Sequence, residues 1–283
     1  MQRFSVTVPN RIDATIAASQ QVSRSFVKVL LDQGKVSLNG KTTYKASAKV
    51  HPDDVIELDY TPEALKDIPD ISLPILYEDD DCLVINKPEG VLTHSKGVFN
   101  PEATVSSFIR PYTTGMQDNR GGIVHRLDRV TSGVLICAKH QKALDWLQTQ
   151  FADRKANKTY VAVVQGTLKE AAAVIDMPIE RNPKKPQTFR VGAGGKPAIT
   201  TYKVINSNDT YSLVELKPQT GRTHQLRVHM AELGHPILGD ILYGGAPAER
   251  TFLHAASLEL TIPSGQHKSF EAPMPDSFNK QVQ

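Results

Sequence analysis

The chain has 283 residues, 40 % of them hydrophobic, and a formal net charge of +3 at pH 7. That length suits one large domain plus a small one, with apolar content enough for a sizeable core. No stretch is long and apolar enough to span a membrane, and residues 1–5 lack the apolar segment of a signal peptide. The two cysteines, Cys82 and Cys137, sit inside apolar runs. They read as buried thiols of a reducing, cytosolic compartment, not as a disulfide or a zinc site. A monomer is expected.

Residues 1–61 look self-contained. A weak helical pattern over 11–20 comes first. Ser23 is placed to cap a second helix over 24–33, with Phe26, Val27, Leu30 and Leu31 as its apolar face and Gly34 as its stop. Residues 35–38 read as a strand, Asn39-Gly40 as a tight hairpin turn, and 54–58 as a half-buried strand. Between Arg24 and Lys49 six cations stand against one acid, Asp32.

The stretch from Glu63 to Asp81 reverses the sign, with seven acids against Lys66, and Pro62, Pro69 and Pro74 punctuate it. A linker is expected over 62–75, then a domain over 76–275 and a tail over 276–283. In that domain 82–86, 134–139, 160–164, 212–216 and 252–262 read as strands, and 143–151 and 223–233 as amphipathic helices. Strand and helix do not alternate regularly, so the class is α+β: a mainly antiparallel mixed sheet with flanking helices. A second basic segment, from Arg181 to Lys203, has six cations and no acid. Two separated basic segments imply a polyanionic partner that spans both, nucleic acid being the commonest; a pair of solvated faces is the competing reading.

The run His125-Arg126-Leu127-Asp128-Arg129-Val130-Thr131-Ser132-Gly133 precedes the apolar run Val134-Leu135-Ile136-Cys137-Ala138. Asp128 thus stands at the entrance to a buried strand, with cations on either side. An ionised carboxylate held rigidly there suits a nucleophile or an electrostatic catalyst; an ordinary turn is the alternative. Gly192-Ala193-Gly194-Gly195-Lys196-Pro197 lacks phosphate-loop spacing and reads as a turn in the basic arm. Glu78-Asp79-Asp80-Asp81 reads as a solvated turn, and His224 and His229, five apart, share no helical face, so no metal is expected.

Residues 1–61 resemble the alpha-L RNA-binding motif of a small-subunit ribosomal protein, through Ser23-Arg24-Ser25, Gly34-Lys35-Val36, Leu38-Asn39-Gly40 and Asp53-Asp54-Val55-Ile56. The resemblance implies a basic helix pair laid on structured RNA, with Arg24, Lys28 and Lys35 as contacts. Over most of 76–263 the chain resembles the RluA family of pseudouridine synthases. The ordered blocks are Asn86-Lys87-Pro88-x-Gly90, Gly122 to Gly133, Lys158-Thr159-Tyr160, Thr220-Gly221-Arg222-Thr223-His224-Gln225-Leu226-Arg227-Val228-His229, Gly234-His235-Pro236-x-x-Gly239-Asp240 and Leu253-His254-Ala255.

That resemblance implies isomerisation of uridine in RNA to its C-glycoside, without cofactor or metal and with the base flipped out of the helix. Asp128 matches the catalytic aspartate, which attacks the sugar or assists loss of the base. Tyr160 matches the tyrosine that stacks on the uracil and is implicated in removing the C5 proton; a core tyrosine on a strand is the alternative reading. Arg227 matches the buried arginine that pairs with the aspartate, against a surface residue of its helix. Arg126 matches the residue that enters the RNA helix in place of the flipped nucleotide, Leu226 part of the apolar wall, and Arg222 and His224 phosphate contacts. Members with this N-terminal domain usually modify large-subunit ribosomal RNA, and some relatives act on transfer RNA. Two departures, Thr93-His94-Ser95-Lys96 and Val130, fall on loops that choose the RNA. A ribosome-assembly or RNA-chaperone protein that does not need Asp128, and a ribonuclease or base-removing glycosidase, stay open as alternatives.

Overall fold

The computed structural model describes residues 2–20, 22, 24–59, 70–94, 102–116 and 121–283. They fall into two compact units, one of the described residues up to Ile71 together with His94, Glu102 and Ala103, and the other made of Ser72–Thr93 and Thr104–Gln283. The first runs β1 (Gln2–Ser5), β2 (Asn10–Arg11), α1 (Ile12–Ser19), α2 (Arg24–Asp32), β3 (Val36–Leu38), β4 (Lys41–Thr42), β5 (Lys49–Val50) and β6 (Val55–Leu58). Strands pair in the order β1-β6-β3-β4, all antiparallel. The expected apolar face of α2, Phe26, Val27, Leu30 and Leu31, is buried in one cluster with Ile12, Ile16 and Ile56. Asn39 and Gly40 take φ of 50° and 75°, the left-handed pair that a two-residue turn between right-twisted strands requires. Ser23, the expected cap of α2, lies outside the described residues, as do 60–69, most of the expected linker.

The second unit continues with β7 (Ile75–Glu78), β8 (Cys82–Lys87), α3 (Val105–Ile109), β9 (Ser132–Ala138), α4 (Gln141–Ala152), β10 (Asn157–Gln165), β11 (Ala172–Asp176), β12 (Ile179–Arg181), β13 (Phe189–Val191), β14 (Ile199–Ser207), β15 (Tyr211–Pro218), α5 (Gln225–Glu232), β16 (Leu253–Thr261), β17 (His267–Glu271) and α6 (Ser277–Lys280). Among the described residues nine strands form one sheet, ordered β11-β14-β15-β10-β16-β9-β8-β7, with β17 also on β16. All its pairs are antiparallel except β16 with β9. This is the expected α+β class, and the expected strands and helices correspond to β8, β9, β10, β15, β16, α4 and α5, with α5 starting at Gln225, two residues later than expected. β9 is buried along its whole length, which is why it reads as an unbroken apolar run and not as an alternating one. Ala143 and Leu147 of α4 pack into the same cluster as Val134 and Ile136 of β9.

Two expectations change. Ser132 and Gly133, which read as a turn, are the first residues of β9, in parallel register with His254 and Ala255. Gly133 has φ 115°, and a Cβ there would run into the Ala255 backbone; a glycine that looks like a turn signal serves close strand approach. Gly133→Ala is expected to cost at least about 1–3 kcal/mol in backbone strain, lowering the melting temperature by circular dichroism. Melting at the wild-type temperature would contradict this register. Residues 276–283, set apart as a tail, instead carry Phe278 and Val282 into the core, with Phe278 5.1 Å from Phe252 ring to ring. One i, i+4 apolar pair in eight residues is too short a pattern to register as a helix.

Candidate active site

The pocket that collects the site residues, about 520 Å³, is lined from the loop before β9, the end of α4, the start of β10, and the segment from β15 into α5. Asp128 sits in a loop pinned on both sides. The Thr93 hydroxyl donates to the Leu127 carbonyl (2.7 Å) and accepts from its N–H (3.2 Å). On the other side the Gly90 N–H donates to the Arg129 carbonyl at 2.8 Å. Lys87, fully buried, donates to the Pro88 and Val91 carbonyls at 2.8 Å each and reaches the Arg129 carbonyl at 3.5 Å. Burial pulls the Lys87 ammonium down to about 8 against the opposing charges of Asp128 and Glu89. Thr93, in one of the segments where this sequence departs from the family pattern, thus holds the residue next to Asp128; Ser95 and Lys96 lie outside the described residues.

The flanking cations are not what holds Asp128. The Arg129 Nε donates to the Gly90 carbonyl at 2.9 Å, and Arg126 is exposed at the pocket rim. The donor is Arg227, 99 residues away, whose Nη1 lies 3.3 Å from Asp128 Oδ2. Arg227 is 5 % exposed, which rules out the reading as a surface residue. Its main partner went unassigned in the sequence: Asp240, 2 % exposed, takes Nε at 2.7 Å and Nη2 at 2.8 Å in a bidentate pair. Burial opposes the guanidinium charge, but the hydrogen bonds and charge of Asp240, then of Asp128, more than offset it and hold Arg227 above the ordinary arginine value. One cation thus ties the buried Asp240 to the partly exposed Asp128.

His224 also turns inward, not toward solvent. It takes φ 57°, and its Nε2 lies 3.8 Å from the same Asp128 Oδ2. The Phe189 N–H donates to the Tyr243 hydroxyl (3.0 Å), so that hydroxyl is oriented to donate to His224 Nδ1 (2.7 Å). The proton on the neutral ring then belongs to Nε2, the side facing Asp128. Burial pushes His224 down, opposed by Asp128 and assisted by Arg227 and Arg126. Both groups face Oδ2, and no donor among the described residues reaches Oδ1.

Tyr160 projects from β10 beside a bulge between Thr159 and Tyr160 in the pairing with β16. Burial first and the Asp128 charge second push its phenol above the ordinary value, so it enters the pocket neutral. Leu226 is buried in the wall. The Arg222 N–H is taken by Gln225 Oε1 at 3.0 Å and its Nε by the Pro197 carbonyl at 2.9 Å. His125 stacks on Phe151 with ring centroids 4.5 Å apart, and its Nε2 accepts the Ile136 N–H at 3.2 Å. Burial, with Lys158 adding to it, drives this ring down to about 3. An unfolded histidine takes up a proton below about 6.5, whereas the folded ring stays neutral to about 3. Stability from His125 is therefore complete above about 6.5 and drains as pH falls to about 3, on the order of 1.4 kcal/mol per unit. Thermal melts of His125→Gln are expected to lose less stability over that window than wild type; equal losses would contradict this.

The surface cations are partly neutralised. Arg24 pairs with Asp13 at 2.8 Å and Lys28 with Asp32 at 2.9 Å, whereas Lys35 is exposed with no carboxylate partner among the described residues. Glu180, one residue before the second basic segment, pairs with Arg190 at 2.7 Å. Asp79, read as part of a solvated turn, accepts the N–H groups of Asp81 and Cys82 and the Tyr77 hydroxyl. Of the residues that reading missed, Asp240 and Lys158 lay inside recognised blocks without a role, and nothing in the sequence pointed to Tyr243.

Residues 81–232 match the RNA pseudouridylate synthase family, and residues 11–56 match the S4 domain. The "Ribosomal large subunit pseudouridine synthase D" of Borreliella burgdorferi is 37 % identical over 95 % of this chain and 87 % of that protein. The protein of the same name from Haemophilus influenzae is 36 % identical over 95 % and 89 %. Among solved structures, "Human RNA Pseudouridylate Synthase Domain Containing 1" covers 72 % of this chain and 85 % of its own, at 31 % identity and a TM-score of 0.61. With Asp128, Tyr160 and Arg227 gathered in one pocket, and a family match spanning more than half of its length, this chain belongs to the RNA pseudouridylate synthase family: an isomerase that acts on RNA and carries an S4 RNA-binding domain.

Proposed function

We propose that the enzyme isomerises uridines of large-subunit ribosomal RNA, and that Asp128, Tyr160 and Arg227 do the chemistry. The substrate assignment is supported by the names of the relatives aligned over 95 % of the chain. The S4 domain gives it further support, with Arg24, Lys28 and Lys35 as candidate docking cations. Transfer RNA is the competing substrate. We also take the enzyme to work as a cytosolic monomer, a compartment consistent with two buried free thiols.

The observation that carries the assignment of roles is the one-sided hold on Asp128, a pocket-lining residue: Arg227 and His224 face Oδ2, and no donor among the described residues takes Oδ1. Oδ1 is then the oxygen that meets the sugar C1′ as the bond to N1 breaks. The base rotates between Tyr160 and Leu226, C5 bonds to C1′ as the bond from C1′ to Oδ1 breaks and frees the carboxylate, and the C5 proton leaves. Every atom of the nucleotide is kept except that proton, which N1 regains from solvent; the balance needs no cofactor or metal. Tyr160, held neutral, serves as a stacking surface and as a relay for the C5 proton. Arg126, at the rim, fills the gap left by the flipped nucleotide, where a planar guanidinium stacks and donates together. Arg222 meets the backbone beside it.

Because the C5 hydrogen leaves, RNA made with uridine tritiated at C5 releases tritium to water as pseudouridine forms. Large-subunit RNA is expected to release it and transfer RNA not to. Release from transfer RNA alone would reassign the substrate, and strand cleavage or abasic sites without release would overturn the activity.

A further inference from the structure

Asp128 is the sole carboxylate among the pocket's described lining residues, against five cations: Arg126, Arg154, Lys158, Arg222 and Arg227. Arg227 is committed to Asp240 and Asp128, and Arg222 donates to a carbonyl. Arg126 and Arg154 are exposed, so water hydrates their charge. Lys158 is different. It stands in β10, only partly exposed, lines the pocket beside His125 and helps depress that ring. No carboxylate, carbonyl or hydroxyl of the described residues accepts from its ammonium. Burial alone lowers its affinity for a proton, with no charge pulling back. The members of an ion pair share such a cost; here nothing among the described residues offsets it.

We propose that Lys158 anchors a phosphodiester subsite inside the pocket, where its ammonium, with Arg154 and Arg126 beyond it at the rim, receives a backbone phosphate flanking the flipped uridine. This rests on the reading that the pocket takes a uridine of RNA. His125 cannot act as a competing cation there, because it stays neutral down to about 3. Tyr160 follows two residues along β10, across the bulge at Thr159/Tyr160, and both residues line the pocket, an arrangement that suits the base and phosphate of one nucleotide. The phosphate takes no part in bond making at C1′ or C5. Its contact is equally strong in ground and transition states, so it sets KM and leaves kcat alone.

The test uses the full-length enzyme and an RNA fragment carrying the target uridine, read by tritium release. Lys158→Met is expected to raise KM about 10- to 100-fold, the range for a hydrogen bond between charged groups, with kcat within about threefold. Lys158→Arg is expected to recover most of the loss. In the wild type, a neutral methylphosphonate in place of one of the two flanking phosphates is expected to raise KM by a similar factor, and Lys158→Met to be nearly blind to it. Wild-type KM unmoved by either neutral linkage overturns the subsite even if the variant fails to fold. So does a Lys158→Met loss confined to kcat, or one that adds fully to the linkage effect. A wild type that releases no tritium from the unmodified fragment overturns the proposed function instead.

Discussion

Asp128→Asn is expected to abolish pseudouridine formation, by at least about 10⁴-fold in kcat, the scale seen when a nucleophile or its activating partner is removed. RNA affinity should fall far less. Asn keeps the shape and still accepts from Arg227, so the loop pinned by Thr93, Lys87 and Gly90 keeps its course. Single-turnover tritium release with gel-shift binding on the same preparation separates the two effects. Retained activity with Asn at this position would remove Asp128 from the chemistry. Growth restored by Asp128→Asn without any pseudouridine would instead favour the reading as an RNA chaperone that needs only the basic surfaces.

Arg227→Ala is expected to be the most destabilising single change in the site, by about 3–5 kcal/mol, because it strips the counter-ion from the buried Asp240 and from the partly exposed Asp128. Asp240, 2 % exposed, would lose both bidentate contacts, and Asp128 its one strong donor. Urea denaturation should show the loss directly. Arg227→Lys is not a conservative rescue: a point charge cannot span Asp240 with two nitrogens and still hand a third to Asp128. Arg227→Lys should therefore fold better than Arg227→Ala yet stay far below wild type in kcat. Asp240→Asn should keep the fold while letting the guanidinium rotate, lowering kcat more than it raises KM. Wild-type stability in Arg227→Ala would contradict the counter-ion role.

Legibility from sequence followed the range of the interaction. Periodicity is local, so the hairpin at Asn39-Gly40, the apolar face of α2 and the runs that became β8, β9 and β10 could be read from neighbours along the chain. Ser132-Gly133 misled because glycine marks both turns and close strand approach, and only the parallel partner Ala255 decides between them. The three matched residues do meet in one pocket. The resemblance named Arg227 as the partner of Asp128, and the fold brings the two together, whereas the adjacent Arg129 turns to the Gly90 carbonyl, because sequence adjacency says little about direction. Asp240 was quoted in a motif without a role because its partner is fixed only by the fold, and Tyr243 sits in a short turn with no periodic signal. His224 looked like a phosphate contact; its left-handed backbone turns the ring toward Asp128 instead.

The central claim is that this Asp128-centred pocket converts uridine to pseudouridine in large-subunit ribosomal RNA. Pseudouridine-specific chemical labelling, read at nucleotide resolution across total RNA, tests it in cells with the protein, without it, and with only Asp128→Asn. The account predicts a mark in large-subunit RNA that disappears with the protein, returns with the wild type and does not return with the variant. Identical maps in all three strains, or a mark restored by Asp128→Asn, would contradict it.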